Sequence, residues 1–323
     1  MIDSLSLARL PTPLHRLDRL SAEVGCELWV KRDDLTGFGL SGNKVRKLDL
    51  LMADAVEHDA DTVVTCGGLQ SNHCRATAVA CRQLGMEPVL LLRGERPDVV
   101  DSNLLLDELL GATVELCSAE DYRDRRNERM ASMAAELRAQ GRRPYVIPEG
   151  GSNGLGALGF ARAAGEVLEQ LPSSTPWGDG PPFDAVFVAV GSGGTLAGLA
   201  LGPELGPLRG VAVCDDRATF VAIVQRIAAE AERHGALPIA DPGPTWDVLE
   251  DYRGPAYAVA EPSTWDTIRR VARTEGLFLD PVYTGKAFDG MLSEIAAGRV
   301  GGRVLFWHTG GAFGLFGRGA EAL

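Results

Sequence analysis

The sequence contains no C-x-x-C pair, its six cysteines lying far apart at positions 26, 66, 74, 81, 117 and 214. Neither a zinc knuckle nor a disulfide framework is indicated, so buried reduced thiols are expected. Cys66 and Cys74 flank the Gly67-Gly68 turn, yet a free cysteine is most often simply a small buried apolar residue. The five histidines (15, 58, 73, 234, 308) form no i, i+4 pair, which removes the simplest helical metal site, and no metal is expected. Basic charge is also scarce. Lysine and arginine number 32 against 44 acidic residues, a net charge of -12 without a basic stripe. That balance argues against a nucleic-acid or anionic-membrane partner. No run reaches the roughly 18 apolar residues of a membrane span, and Met1–Leu7 lacks a basic segment followed by an apolar one. A cytoplasmic location is the expectation, and no internal repeat is found.

What is present is enough for a large core: 323 residues, 45% of them hydrophobic, fill about two domains. Short β-rich runs at Leu28–Lys31, Thr62–Thr65, Val89–Leu92, Thr113–Leu116, Tyr145–Ile147, Ala185–Ala189, Val211–Cys214 and Val304–Trp307 alternate with longer helical patterns. Helices are expected over Asn43–Glu57, Ser71–Leu84, Ser102–Leu110, Ala119–Gln140, Leu155–Leu171 and Ser263–Glu275. Such alternation means βαβ units, and continuously apolar runs such as Val186–Val190 suit parallel strands covered on both faces. An α/β fold with mainly parallel sheets follows. Asp101 or Ser102, Ser118 and Ser263 are placed to cap helices, with Pro262 just outside the last of these. The turn-rich stretch Pro172–Pro182 reads as a surface loop.

Two segments carry the chemistry. Lys44 opens a helix after the glycine-rich turn Gly37–Asn43, where burial and the helix terminus both lower an amine's pKa. Lys47, one turn on, and Lys31 remain open alternatives by spacing alone, and an exposed helix ordinarily carries lysines. Downstream, Gly191-Ser192-Gly193-Gly194-Thr195 follows an apolar strand and enters a helix, so its backbone amides can converge on a phosphate. It matches neither G-x-x-x-x-G-K-[ST] nor G-x-G-x-x-G, which weakens an ATPase or dinucleotide reading. An amine able to form a Schiff base, paired with a cradle for a dianion, is what pyridoxal 5'-phosphate requires. Gly67–His73 repeats the strand, glycine turn and helix form, and would suit an amino-acid carboxylate, although Ser71 or Asn72 would serve equally as an ordinary N-cap. Tyr283 and His308 lie in two further strand-end loops, where ligands gather.

With these residues in view, the chain resembles the D-cysteine desulfhydrase and 1-aminocyclopropane-1-carboxylate deaminase family, within the tryptophan-synthase-β-like, fold-type II pyridoxal phosphate enzymes. The likeness runs through Leu10–Leu14, Lys31–Asp34, Gly42–Lys44, Gln70–Asn72, Ile147–Asn153 and His308–Gly311. It implies two open twisted sheets flanked by helices, in a large cofactor domain (1–47 and 156–323) and a small inserted α/β domain (48–155), with a small amino-acid substrate between them. It implies a homodimer. It also puts the Schiff base on Lys44, the phosphate at Gly191, Ser192, Gly193, Gly194 and Thr195, and Thr309 beside cofactor and substrate. Ser71, Asn72 and His73 would meet the substrate carboxylate, with Asn72 near the cofactor's phenolic oxygen, and Tyr257 and Tyr283 would line the substrate side.

The resemblance also separates reactions. The deaminase branch carries a glutamate where this chain has Thr284, beside the cofactor's pyridine nitrogen. A carboxylate there strengthens the electron sink that cyclopropane opening needs, whereas a threonine leaves a weaker one that suffices for β-elimination. The leading expectation is a lyase converting D-cysteine to pyruvate, ammonia and hydrogen sulfide. The runners-up are the ring-opening deaminase, an L-cysteate sulfo-lyase, a racemase of the same fold and a catalytically silent cofactor-binding protein. Lys44 is the simplest base for the Cα proton, and Ser71 or a tyrosine could share that task. Where relatives commonly show Gly-Tyr-Gly, this chain has Ala256-Tyr257-Ala258, which predicts a loop of altered shape, since alanine disfavours positive φ. Cys214-Asp215-Asp216-Arg217 matches no family pattern.

Overall fold

A computed structural model describes residues 4–171 and 180–322. Most of the predicted loop at 172–182 lies outside the described residues. Ten strands form two sheets: β1 (Leu14–Arg16), β2 (Glu27–Arg32), β7 (Ala185–Val190), β8 (Leu208–Ala212), β9 (Trp246–Leu249) and β10 (Arg303–His308) in the larger, and β3 (Thr62–Gly68), β4 (Glu87–Arg93), β5 (Thr113–Cys117) and β6 (Pro144–Val146) in the smaller. The larger runs β1-β2-β10-β7-β8-β9 and is parallel except for β1; the smaller runs β5-β4-β3-β6 and is parallel throughout.

The apolar run in β7 is explained by burial on both faces. Val186, Val188 and Val190 join Phe160 and Trp307 in one core cluster, while Ala185, Phe187 and Ala189 join Phe288 and Phe306 in another. Each fully buried large side chain among these contributes roughly 1.5–3 kcal/mol relative to exposure. Of three expected helix entries, two differ from expectation. Ser118 does cap, accepting the Asp121 N–H, but Asp101 makes no capping bond. Pro262 is the first helical residue rather than an outside one, because its missing N–H has no partner there to lose; Ser263, inside the helix, donates to Asp289 instead.

The helix that starts at Lys44 is anchored by a buried ionic network. Arg46 donates from Nε and Nη2 to the two oxygens of Asp33, each at 2.8 Å, while Asp33 also accepts from Thr12 Oγ1 and Trp307 Nε1. Glu166 accepts from Arg46 at 2.9 and 3.0 Å and from Lys31 at 2.5 Å. Gly159 admits this contact between helices, since a Cβ there would lie 2.2 Å from the Arg46 carbonyl oxygen. Burial pushes the Glu166 carboxyl up, but its bonds to Arg46 and Lys31 outweigh that and hold it down to about 2. A depressed folded-state value means the contribution is complete above the unfolded carboxylate value and lost below it. Denaturation midpoints are therefore expected to fall as pH drops from about 4.5 toward 2, and Glu166→Gln should flatten that slope.

Among the described residues no helix is long and apolar enough to cross a membrane, and no cluster of three His, Cys, Asp or Glu residues could hold a metal ion. Cys66, Cys74, Cys81 and Cys117 are buried free thiols as expected, whereas Cys26 and Cys214 are only half-buried.

Candidate active site

A cavity of about 490 Å³ opens where strand ends of both sheets meet, lined by Gly67 and Gly68 from β3, Arg93 from β4, Val190 at the end of β7 and Gly191 after it, Cys214 after β8 and Thr309 after β10. Lys44 lies on its wall; Lys47 and Lys31 do not. Their hydrogen bonds explain the difference. Lys47 Nζ donates to the Gly150 carbonyl (3.2 Å) and Ser152 Oγ (3.0 Å), and Lys31 Nζ is held by Thr12 O, Glu166 and Gln170. Lys44 Nζ makes no hydrogen bond among the described residues. Burial lowers its pKa to about 8, with the Glu149 carboxylate pulling weakly the other way. Of the three lysines, Lys44 is the one with a free nucleophile facing the cavity.

Asn43 ties this lysine to the glycine loop: its Nδ2 donates to Thr195 Oγ1 at 2.9 Å, and its backbone N–H to the Thr309 carbonyl at 3.0 Å. Ser192, Gly193 and Thr195 share the cavity wall with Gly191, and the loop ends in helix Gly194–Leu201. Gly150 faces Ser192 across the cavity at φ 66, and a Cβ there would come 2.4 Å from Ser192 Oγ and 3.3 Å from Lys44 Nζ. Only glycine leaves that space open.

On the β3 side, Ser71 caps helix Asn72–Gln83 by accepting the Cys74 N–H at 3.1 Å, which leaves its hydroxyl proton for the cavity. The capping and binding roles thus coexist. Asn72 Oδ1 accepts from Asn103 Nδ2 at 3.0 Å, leaving the Asn72 amide N–H groups as donors. His73 also lines the cavity; burial, then the positive charges of Lys44 and Lys47, keep it neutral. Because Thr65 Oγ1 donates to the Ile147 carbonyl, His73 Nε2 is the donor to Thr65, and its buried Nδ1 has no partner among the described residues.

Tyr257 and Tyr283 join hydroxyl to hydroxyl at 2.7 Å, both raised in pKa chiefly by burial. Tyr283 packs under Gly191, and the Arg93 guanidinium lies 4.9 Å above the Tyr257 ring. The loop around Tyr257 holds an alanine in a left-handed conformation, contrary to its usual preference: Ala258 sits at φ 59. A non-glycine residue there costs roughly 1–2 kcal/mol. Ala258→Gly is expected to raise stability by on the order of 1 kcal/mol, read as a higher thermal midpoint.

A family profile described as "Pyridoxal-phosphate dependent enzyme" matches residues 5–310. This chain belongs to that family. It is 44% identical, over 97% of its length and 79% of the relative's, to the bifunctional D-cysteine desulfhydrase/1-aminocyclopropane-1-carboxylate deaminase of Arabidopsis thaliana mitochondria. It is 42% identical to the D-cysteine desulfhydrase of Serratia proteamaculans, over 97% of this chain and 94% of that one. The crystal structure of an ACC deaminase homologue superposes with a TM-score of 0.89 at 37% identity, covering 99% of this chain and 95% of that one. The fold is that of the pyridoxal-phosphate dependent enzymes, and the protein is a pyridoxal-phosphate-dependent lyase of this group.

The residues fit such a cofactor: an unpartnered buried amine at Lys44, and a cradle at Gly150 and Ser192 that a single Cβ would fill. Two of the anticipated contacts stand behind the wall. Gly194 packs against Ser152 and Lys47, and Thr284 donates its hydroxyl proton to Asp280 at 2.7 Å while accepting the Asp280 N–H at 2.8 Å. His308 is likewise structural, accepting from the Gly310 N–H and facing the Phe278 carbonyl. Conversely, sequence reasoning missed Asn43, Arg93, Tyr122, Glu149 and Gly150 as wall residues. Glu149 accepts the Tyr122 hydroxyl at 2.7 Å. Arg93 could have been found, because it closes a parallel strand at the carboxyl end; Tyr122, in the first turn of a helix rich in acidic and basic residues, sends no such signal. Cys214 and Asp215 also reach the wall, and Asp216 caps the next helix through Thr219 N–H.

Proposed function

We propose that this lyase performs β-elimination on a small β-substituted amino acid, with D-cysteine as substrate and pyruvate, ammonia and hydrogen sulfide as products. The observation that carries this reading is the unpartnered Lys44 amine sharing one cavity with the glycine loop and the tyrosine pair. Lys44 is the residue that would bond the cofactor's aldehyde carbon, with Ser192, Gly193 and Thr195 holding its phosphate. Bound there, pyridoxal phosphate supplies a sink for the electron pair left at the substrate Cα. Ser71 Oγ and the Asn72 amide are donors suited to the substrate carboxylate, a charge-assisted pairing. Lys44 Nζ, lowered to about 8 by burial, can carry the Cα proton. Tyr283 and Tyr257 form one hydroxyl chain along which a proton can be exchanged on the substrate side.

Thr284 supports elimination over ring opening, as a neutral residue with its hydroxyl proton committed to Asp280, where the resemblance implies a glutamate in the deaminase branch. The names of the relatives support both activities, so the assay must separate them. Holoenzyme supplied with D-cysteine is expected to release pyruvate and sulfide, faster than it releases 2-oxo acid from 1-aminocyclopropane-1-carboxylate or pyruvate from L-cysteate. No product from D-cysteine would sink the reading.

The functional unit in this reading is a homodimer in the cytoplasm, each copy holding substrate between residues 48–155 and the rest. Exposed Phe38, Leu109 and Phe316 supply apolar surface that a second copy could cover. Sedimentation of the holoenzyme at a single-chain mass would overturn the dimer.

A further inference from the structure

Three arginines line the cavity, and two of them are already neutralised. Arg123 grips Asp124 through Nε and Nη2, both at 2.7 Å, and Arg126 lies 3.5 Å from Glu149. Arg93 has neither a carboxylate nor a hydrogen-bond acceptor among the described residues. Its guanidinium is held by ring faces, 4.9 Å from the centre of Tyr257 and 5.4 Å from that of Tyr122. Such stacking fixes the plane of the fork and leaves its N–H groups free. Both groups stand beside Gly68, Arg93 Nη2 and Tyr257 Cε1 each lying 3.9 Å from where a Cβ on that glycine would be. Along the wall the order of contacts is Gly191, Tyr283, Tyr257, Arg93, so two tyrosines separate Arg93 from the phosphate loop.

We infer that Arg93 is the subsite for the substrate's β-substituent and selects groups that carry, or acquire on leaving, negative charge. The inference rests on the eliminase reading above and deepens it. In the elimination the Cα–H proton goes to a base, the Cβ–S bond breaks, and its electron pair departs on sulfur as hydrosulfide, or as sulfite when the substituent is a sulfonate. The remaining three-carbon enamine takes up water to give pyruvate and ammonia, with no oxidant or reductant consumed. Arg93 meets the departing anion with two parallel N–H donors, a geometry that carboxylate, sulfonate and sulfinate groups all match.

Amino acids that bind without eliminating isolate the subsite from the reaction. The holoenzyme is titrated with alanine and with aspartate, each as both enantiomers, the affinity being read from the cofactor's absorption band. Aspartate places a carboxylate where the leaving group would stand; alanine places nothing there. The expected result is that one enantiomer of aspartate binds about tenfold tighter than the matching alanine, and that Arg93→Met brings this ratio close to one. Arg93→Lys, which keeps charge without the fork, should restore part of the ratio. No preference for aspartate in the unaltered enzyme would overturn the inference, as would an Arg93→Met variant that weakens both ligands equally, the mark of an α-carboxylate or structural role. If the preference holds while D-cysteine gives no product, the choice of reaction has failed and the subsite stands; product without the preference means the reverse.

Discussion

Lys44→Ala is expected to abolish pyruvate formation, by at least ~10³-fold, while leaving the far-ultraviolet spectrum and denaturation midpoint close to those of the unaltered protein. The reason lies in what Lys44 does not do. Lys47 and Lys31 are each tied by two or more hydrogen bonds that join separate segments, whereas Lys44 Nζ joins nothing, so its loss removes a nucleophile and no strut. Borohydride reduction of the holoenzyme followed by peptide mapping should find the cofactor on Lys44, and Lys44→Ala should leave no stable adduct. A label on Lys47 would defeat the assignment. It would require Lys47 to abandon Gly150 and Ser152 and to enter a cavity whose wall it does not reach.

The largest expected stability effect lies two residues away. Arg46→Met should cost about 3–5 kcal/mol, because it leaves Asp33 without its cation in a buried site and Glu166 with Lys31 alone. Asp33 would keep Thr12 and Trp307 as donors but lose both contacts to the guanidinium. Arg46→Lys should recover only part of the loss, since an ammonium cannot serve both carboxylates in the same fork. Urea midpoints at neutral pH measure the difference, and a shift worth under about 1 kcal/mol would show that the network contributes little. Because Arg46 and Lys44 share a helix, cofactor content of the folded fraction should fall in Arg46→Met as well.

How much of this was legible in the sequence follows from where burial does the work. Continuous apolar runs revealed β7 and β10, which are covered on both faces. The edge strands of the larger sheet gave no such signal: β1 is three mostly exposed residues, and β9 alternates between buried and half-buried. β8 was expected over Val211–Cys214 but begins at Leu208, because pairing with β7 and β9 recruits Arg209 and Gly210, whose local propensity is poor. Helix Arg217–Ala231 was not anticipated, being rich in β-branched residues that suit a strand equally well. In the site, glycine-rich strand ends announced Gly67–His73 and Gly191–Thr195, since backbone exposure is written in composition. The choice of Lys44 over Lys47 was not, because it depends on partners contributed by Gly150 and Ser152, more than a hundred residues away.

The placement of β10 between β2 and β7 has a consequence for biosynthesis. β2 and β7 have no contact register with each other; each pairs with β10, the last strand in chain order. While the ribosome is still short of residue 303, the strand leading to Lys44 and the strand leading to the glycine loop have no common neighbour. Thr309, whose carbonyl receives the Asn43 N–H, is missing too. The four strands of the smaller sheet, all encoded between residues 62 and 146, are by then complete. A nascent chain therefore offers a finished smaller sheet and an unclosed larger one, with two apolar strand edges open to misassociation. Approach of Lys44 to the glycine loop Gly191–Thr195 is set by emergence of a single six-residue strand, Arg303–His308.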